Sequence, residues 1–446
     1  MPVSIESRLV NVGLIILLLI VASTCISTCF PLREIGMKEA KKIEYSSLIY
    51  RIEEPMTLLL KGGPYFNNSK YLLYDGGDVI VDVIYCEEKY CIVNMLLKTN
   101  SLNENKDLVF HRILKLFLSN YTVYTINGEF VGKWIYNVES LSSNIVNSKF
   151  KIIQNCLALS LNYPSIGNVS GNCLIRDNTL RVIPSQPINI GTEERKVLLE
   201  MECAYDLNTT LLKEVYLGFF DDVLSNVFKI LYIDFSKMFL RGYSEASFSS
   251  INVNLDSNYF KILRAYVTLT PELYLEYESK ITGKIVLESS DMVFEGNIRK
   301  GLNYILLPLG NTFETPKHTE YTLILKDDNG RVLAKTILNL KKPRLILEEA
   351  KAIVDHRGKD SARKIVLKII NEGNVPTYIA EIFIKINELY EIRLDGYKIP
   401  IKPKSTMYLT TNLPEKLFVE EFKKLEIALL NDLKEQVIRK EISSEM

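Results

Sequence analysis

The chain has 446 residues, 47% of them hydrophobic and 24% charged, which is material for about three cored domains. Lys plus Arg and Asp plus Glu both number 54, so the formal net charge is zero. With neither a basic excess nor a basic stripe, nucleic acid is excluded as a partner. Glutamine occurs only at Gln154, Gln186 and Gln436. Low glutamine beside plentiful Lys, Glu and Ile gives a hyperthermophile-like composition.

Residues 9–30, Leu9 to Phe30, carry no ionised side chain and centre on Leu14–Val21. A bilayer core takes about 20 apolar residues at helical rise, so a hydrophobic helix is expected here. Two export readings stay open: residues 1–31 as a cleaved signal peptide, or as a retained signal anchor. Arg33, Lys38, Lys41 and Lys42 follow the segment, but long folded domains translocate largely regardless of flanking charge. Cys25 and Cys29 lie within the segment. Thr28 precedes Cys29 where a lipobox has a smaller residue, so both read as membrane thiols. Residues 32–44 read as a charged stalk.

From 45 to 250 the pattern predicts a β-rich α+β domain. Val79–Tyr85 and Ile92–Leu97 flank Cys86-Glu87-Glu88-Lys89-Tyr90-Cys91 as a hairpin. Opposed strand residues lie about 4.5–5.5 Å apart at Cα, so a Cys86–Cys91 disulfide is predicted. Of Cys156, Cys173 and Cys203, a Cys156–Cys173 bridge would leave the third as a buried thiol or an intermolecular link. Asp107–Leu118 reads as a helix carrying Val109, Phe110, Ile113, Leu114 and Phe117 on one face. Asn127-Gly128 marks a hairpin turn inside Tyr121–Tyr136. Asp206–Thr210 reads as another turn, and Asp221–Ile230 as a second helix. Sequons begin at Asn67, Asn120, Asn168 and Asn208. All four fall in this half, which predicts a glycosylated outer region.

Beyond residue 256 strands become short and regularly punctuated. Residues 256–343 and 344–446 are each the size of an immunoglobulin-like sandwich. Asp327-Asp328-Asn329-Gly330 and Asn431-Asp432 mark hairpins, and Lys341-Lys342-Pro343 a linker. Ile369-Ile370-Asn371-Glu372-Gly373-Asn374-Val375-Pro376 resembles the strand and turn of CARDB-like adhesion repeats of prokaryotic surface proteins. Gly301–Leu325 is similar in texture to macroglobulin-like or bacterial immunoglobulin-like domains. Tyr205–Leu212 resembles a turn of archaeal extracytoplasmic β-domains that carries Gly where this chain has Thr210. The resemblances imply tandem sandwiches at a cell surface and imply no activity.

Chemistry-bearing patterns are sparse. His111, His318 and His356 are scattered without metal-ligand spacing, and His111 is placed on the predicted helix as a structural residue. Gly167–Gly171 misses the G-x-S-x-G spacing by one residue. No P-loop or dinucleotide fingerprint occurs. Asp78 and Asp82 share a strand face opposite Val79, Val81 and Val83, and are expected to mark its solvated side. Trp134, with Tyr121, Tyr124 and Tyr136, reads as core before glycan platform. No catalytic, cofactor or metal residue is assigned, and no enzyme is expected. The expectation is a membrane-anchored or secreted cell-surface structural or interaction protein. It would hold the membrane through residues 9–30 and a protein partner at the surface. The alternatives are an extracytoplasmic accessory subunit of a membrane complex and, behind it, a secreted hydrolase.

Overall fold

The computed structural model describes residues 43–60, 71–101, 108–137, 171–176, 178–184, 188–189, 198–199, 201–218, 221–248, 250–255, 257–355, 361–387, 390–418 and 424–443. The hydrophobic helix expected over residues 9–30 lies outside them. Among the described residues no helix is long and apolar enough to cross a membrane.

The protein is mostly β, built from several antiparallel sheets. The first region contains β1 (Tyr45–Ile52), β2 (Met56–Leu60), β3 (Tyr71–Tyr74), β4 (Gly77–Cys86), β5 (Tyr90–Thr99), β6 (Val109–Phe117), β7 (Thr122–Thr125), β8 (Phe130–Lys133), β9 (Gly171–Arg176), β10 (Thr179–Pro184), β11 (Ile188–Asn189), β12 (Leu198–Leu199), β13 (Glu202–Asp206), β14 (Leu212–Tyr216), β15 (Ile230–Asp234) and β16 (Lys237–Glu245). The second contains β17 (Phe260–Val267), β18 (Glu272–Ser279), β19 (Gly283–Glu288), β20 (Val293–Ile298), β21 (Gly301–Pro308), β22 (Glu320–Asp327) and β23 (Val332–Asn339). The third contains β24 (Leu345–Asp355), β25 (Ser361–Asn371), β26 (Thr377–Ile386), β27 (Tyr390–Ile401), β28 (Ser405–Phe418), β29 (Lys424–Asn431) and β30 (Gln436–Ser443).

A long sheet spans the first region in the order β8-β7-β6-β5-β4-β1-β16-β14-β13-β10-β9. One of its faces packs on the small sheet β15-β2-β3 and on the helix Asp222–Phe228. Leu48, Tyr50 and Ile52 of β1 and Val79, Val81 and Val83 of β4 enter that core. The alternate residues Ile49 and Ile80 enter a second core, shared with the third region. The long sheet is therefore buried on both faces at its centre, which explains why β1 is buried at every position.

The same two-sidedness corrects the helix expected over Asp107–Leu118, which is strand β6, paired with β5 and β7. Its adjacent residues Ile113 and Leu114 enter different cores. A strand serving two cores carries contiguous apolar residues that imitate a broad helical face. His111 accordingly sits exposed on a strand. The other expected helix is present as Asp222–Phe228, capped by Asp221 and ended by Lys229 at φ 56°.

The second region has two layers, β17-β18-β21 and β20-β19-β22-β23, around one core. The third also has two layers: β24, β25 and β28 in one, β27-β26-β29-β30 in the other. Its first layer joins the long sheet, because β28 pairs with β16 from Gly242 to Ser244. Along one edge β16 pairs first with β14, then with β28, so the sheet forks there.

Candidate functional site

The tip of the β4–β5 hairpin is closed by the predicted disulfide. Cys86 and Cys91 face each other in register and are bonded, with Cα atoms 4.0 Å apart. Beyond it, four rings cross the end of the long sheet, one per strand. Tyr90 on β5 is 6.3 Å from Phe117 on β6, which is 5.3 Å from Tyr124 on β7, which is 5.6 Å from Phe130 on β8. Cross-strand register explains the row: Tyr90 opposes Phe117, and Tyr124 opposes Phe130. The Lys115 ammonium lies 3.8 Å from the Tyr90 ring centroid. A groove of about 400 Å³ opens beside this row. Its lining includes Lys115, Phe117, Asn120, Thr122, Tyr124 and Ile126.

Asn120 stands exposed where β6 turns into β7. Its Oδ1 accepts from the Thr122 hydroxyl at 2.6 Å and from the Thr122 amide at 3.2 Å. Tyr121 between them has φ 53° and a buried ring, with Asn120 exposed before it and Thr122 buried after it. Trp134, Tyr121 and Tyr136 are buried, as the core reading of these aromatics expects. Tyr124 alone of that group reaches the groove. Phe130 is the aromatic that sequence reasoning missed, and Phe117 was read onto the face of a helix. Strand alternation would have placed them beside Tyr124 once β6 was recognised as a strand.

Of the other sequons, Asn67 and Asn168 lie outside the described residues. Asn208 is exposed on the β13–β14 turn, where Asp206 Oδ1 accepts from the Asn208 and Thr209 amides at 2.8 and 3.2 Å. Cys156 also lies outside the described residues. Cys173 opposes Val182, which opposes Cys203 on the next strand. Two strand spacings, about 9.5 Å, are too far for a Cys173–Cys203 disulfide. Cys203 is a buried free thiol whose pKa burial pushes up to about 12, keeping it protonated and unreactive.

A second polar constellation lies where the three regions meet. Asp78 and Asp82 do share the face opposite the valines, but that face is not solvated. It is covered by the second and third regions, and both carboxylates are buried. Lys402 Nζ, just beyond β27, donates to Asp82 Oδ1 at 2.8 Å and to the Ser46 carbonyl at 3.0 Å. The Leu269 amide of the second region donates to Asp82 Oδ2 at 2.8 Å. The Tyr378 hydroxyl, from β26, donates to the Leu269 carbonyl. Nearby, Asn94 Nδ2 donates to Thr270 Oγ1 at 3.1 Å, which donates to Glu272 at 2.7 Å. Burial raises the Glu272 pKa against the opposing Thr270 hydrogen bond. One aspartate thus receives donors from both other regions. Lys402 sits among Ile399, Pro400, Ile401 and Pro403. A lysine inside such an apolar run was the one sequence signal for this joint.

A third contact is half exposed. Arg264 on β17 pairs with Glu276 at 2.9 Å and with Glu87 of the disulfide hairpin, and lies 4.9 Å from the Tyr85 ring centroid. Tyr85 stacks on Tyr266 with ring centroids 5.4 Å apart. The turn Asn371–Pro376 forms a fourth. Asn371 Oδ1 accepts from the Gly373 amide at 2.9 Å, its Nδ2 donates to the Val375 carbonyl at 3.1 Å, and Val375 enters the core of the second region.

Among the described residues no group of three or more His, Cys, Asp or Glu is placed to hold a metal ion. The arrangement as a whole does two things: it locks three β regions together through buried polar donors, and it displays an aromatic groove at one end. No protein-family model and no curated protein matches the chain.

Proposed function

We propose that the protein is an extracytoplasmic structural or interaction protein of a cell surface, exported or anchored through residues 9–30. In this reading its second and third regions are immunoglobulin-like sandwiches related to CARDB-like and macroglobulin-like repeats. The 3+4 layering of each and the Asn371–Pro376 turn support that assignment. The first region, with its aromatic groove, is the specific element, and the two sandwiches fix its position.

The observation that carries the reading is the Cys86–Cys91 disulfide on a surface hairpin. Such a bond persists where the surroundings are oxidising, outside the cytosol. The uncharged run before residue 31 supplies a route there. The buried joint around Asp82 supports a structural role, because it holds the three regions as one body.

Protease treatment of intact cells, with N-terminal sequencing of the protected and released chains, tests side, cleavage and anchoring together. Digestion from outside and a thiol count that rises by two on reduction are expected. A chain protected inside intact cells with Cys86 and Cys91 both alkylatable overturns the reading. Stoichiometric membrane proteins co-purifying in detergent would place it as an accessory subunit instead.

A further inference from the structure

We propose that Asn120 carries an N-linked glycan whose first sugars lie in the groove against Phe117 and Tyr124. The inference rests on the extracytoplasmic reading, and goes beyond it by giving the groove an occupant.

Three observations converge. Asn120-Tyr121-Thr122 is a sequon whose asparagine is exposed and itself lines the groove. The Thr122 hydroxyl and amide both donate to Asn120 Oδ1, so the amide oxygen is held against the turn and Nδ2 is the atom left to the outer side. The neighbouring wall is aromatic: Phe117 and Tyr124 meet edge to face at 5.3 Å, with Phe130 beyond them, 58% exposed. A pyranose presents a face of C–H hydrogens carrying partial positive charge, which suits the negative face of a ring. The groove's volume of about 400 Å³ fits a sugar or two rather than a long chain. Asn208 provides the contrast, since it is exposed on a turn outside this groove.

The attachment is a group transfer from a lipid-linked glycosyl phosphate or pyrophosphate. Asn120 Nδ2 forms a bond to the anomeric carbon as the bond from that carbon to the phosphate oxygen breaks. Nδ2 loses one proton, and the lipid phosphate leaves with the electron pair. Nothing is oxidised or reduced.

The test uses the full chain secreted from a glycosylating host. Glycopeptide mass spectrometry reads occupancy at each sequon. A time course of endoglycosidase treatment on the folded protein reads how exposed each glycan is. The expected result is an occupied Asn120 whose glycan is released about three- to tenfold more slowly than that at Asn208, the factor given by one ring stack. Tyr124→Ala and Phe117→Ala, each checked for retained circular dichroism, should remove the difference. Asn120 bare while Asn208 is occupied overturns the site and leaves the export reading standing. Asn120 occupied but released equally fast in parent and both variants overturns the stacking. A chain that stays in the cytosol with free thiols and no occupied sequon overturns the export reading, and this proposal with it.

Discussion

Asp221 is pulled two ways, since both of its hydrogen bonds favour the ionised form and its burial favours the protonated one. As a helix cap its Oδ1 accepts from the Val223 amide at 2.8 Å, and Oδ2 accepts from the Tyr136 hydroxyl at 2.7 Å. Complete burial outweighs both bonds and raises its pKa to about 6. A raised carboxyl pKa means the folded state holds the proton where the unfolded chain has lost it. That contribution is full below about pH 4 and is lost as pH rises to about 6. Asp221→Asn keeps the cap oxygen and removes the titration. Relative to the parent, the variant should gain about 2–3 kcal/mol between pH 4 and pH 7 in denaturant titrations. An equal response in both proteins would put the titrating group elsewhere. Thr210 presents a backbone case. At φ 61° it occupies a left-handed position that a β-branched residue adopts at a cost. Thr210→Gly in unglycosylated protein should raise stability by about 0.5–1 kcal/mol, read as a higher urea midpoint at unchanged slope. A lower midpoint would show that the threonine side chain offsets its strain.

Strand β16 is the element on which the architecture turns, because its far half accepts β28. The approach is close at Gly242: a Cβ there would meet Met407 Cε at 2.6 Å and the Tyr408 carbonyl oxygen at 2.9 Å. The methionine can move and the carbonyl cannot, so Gly242→Val should cost about 1–3 kcal/mol and open the β16–β28 pairing. Faster hydrogen exchange at Gly242–Ser244 and Met407–Leu409, with β1–β4 unchanged, is the signature to measure. Uniform exchange across the sheet would mean that the third region is held without this ladder. The pairing also marks what was legible in the sequence. Hairpins were, because their turns need local chemistry: Asn127-Gly128, Asp206–Thr210, Asp327–Gly330 and Asn431-Asp432 each join the strands expected. So was the opposed cysteine pair. Alternation also put Asp78 and Asp82 on the correct face of β4. What covers that face was not legible, because it comes from residues nearly two hundred and more than three hundred positions later. The same ignorance turned β6 into a helix, since periodicity assumes one buried face and this strand has two. The aromatic groove was half legible: Tyr124 was singled out, while Phe117 was assigned to the wrong periodicity.

At the scale of the molecule, Asp82 decides whether the three regions behave as one. Its side chain is fully buried and that of Lys402 is 5% exposed. Removing one partner of such a pair strands the other without compensation. Lys402→Met should therefore cost about 3–5 kcal/mol, and the double variant Asp82→Leu/Lys402→Met should recover much of that loss. The single variant should also split the unfolding transition, with fluorescence and circular dichroism midpoints no longer coincident. If the double variant is no better than the single, the hydrogen bond from the Leu269 amide contributes more to the joint than the ion pair does. The position of β1 has a mechanical corollary. The described chain enters β1 two residues after Ile43, and β1 is laddered on one side to β16 and on the other to β4. Among the described residues the last strand, β30, is paired only with β29. Under tension applied at the two ends, β1 has two ladders to shear at once, whereas β30 can peel one bond at a time. Stretching should undo the protein from its C-terminal edge inward, leaving β1 as the last to give way.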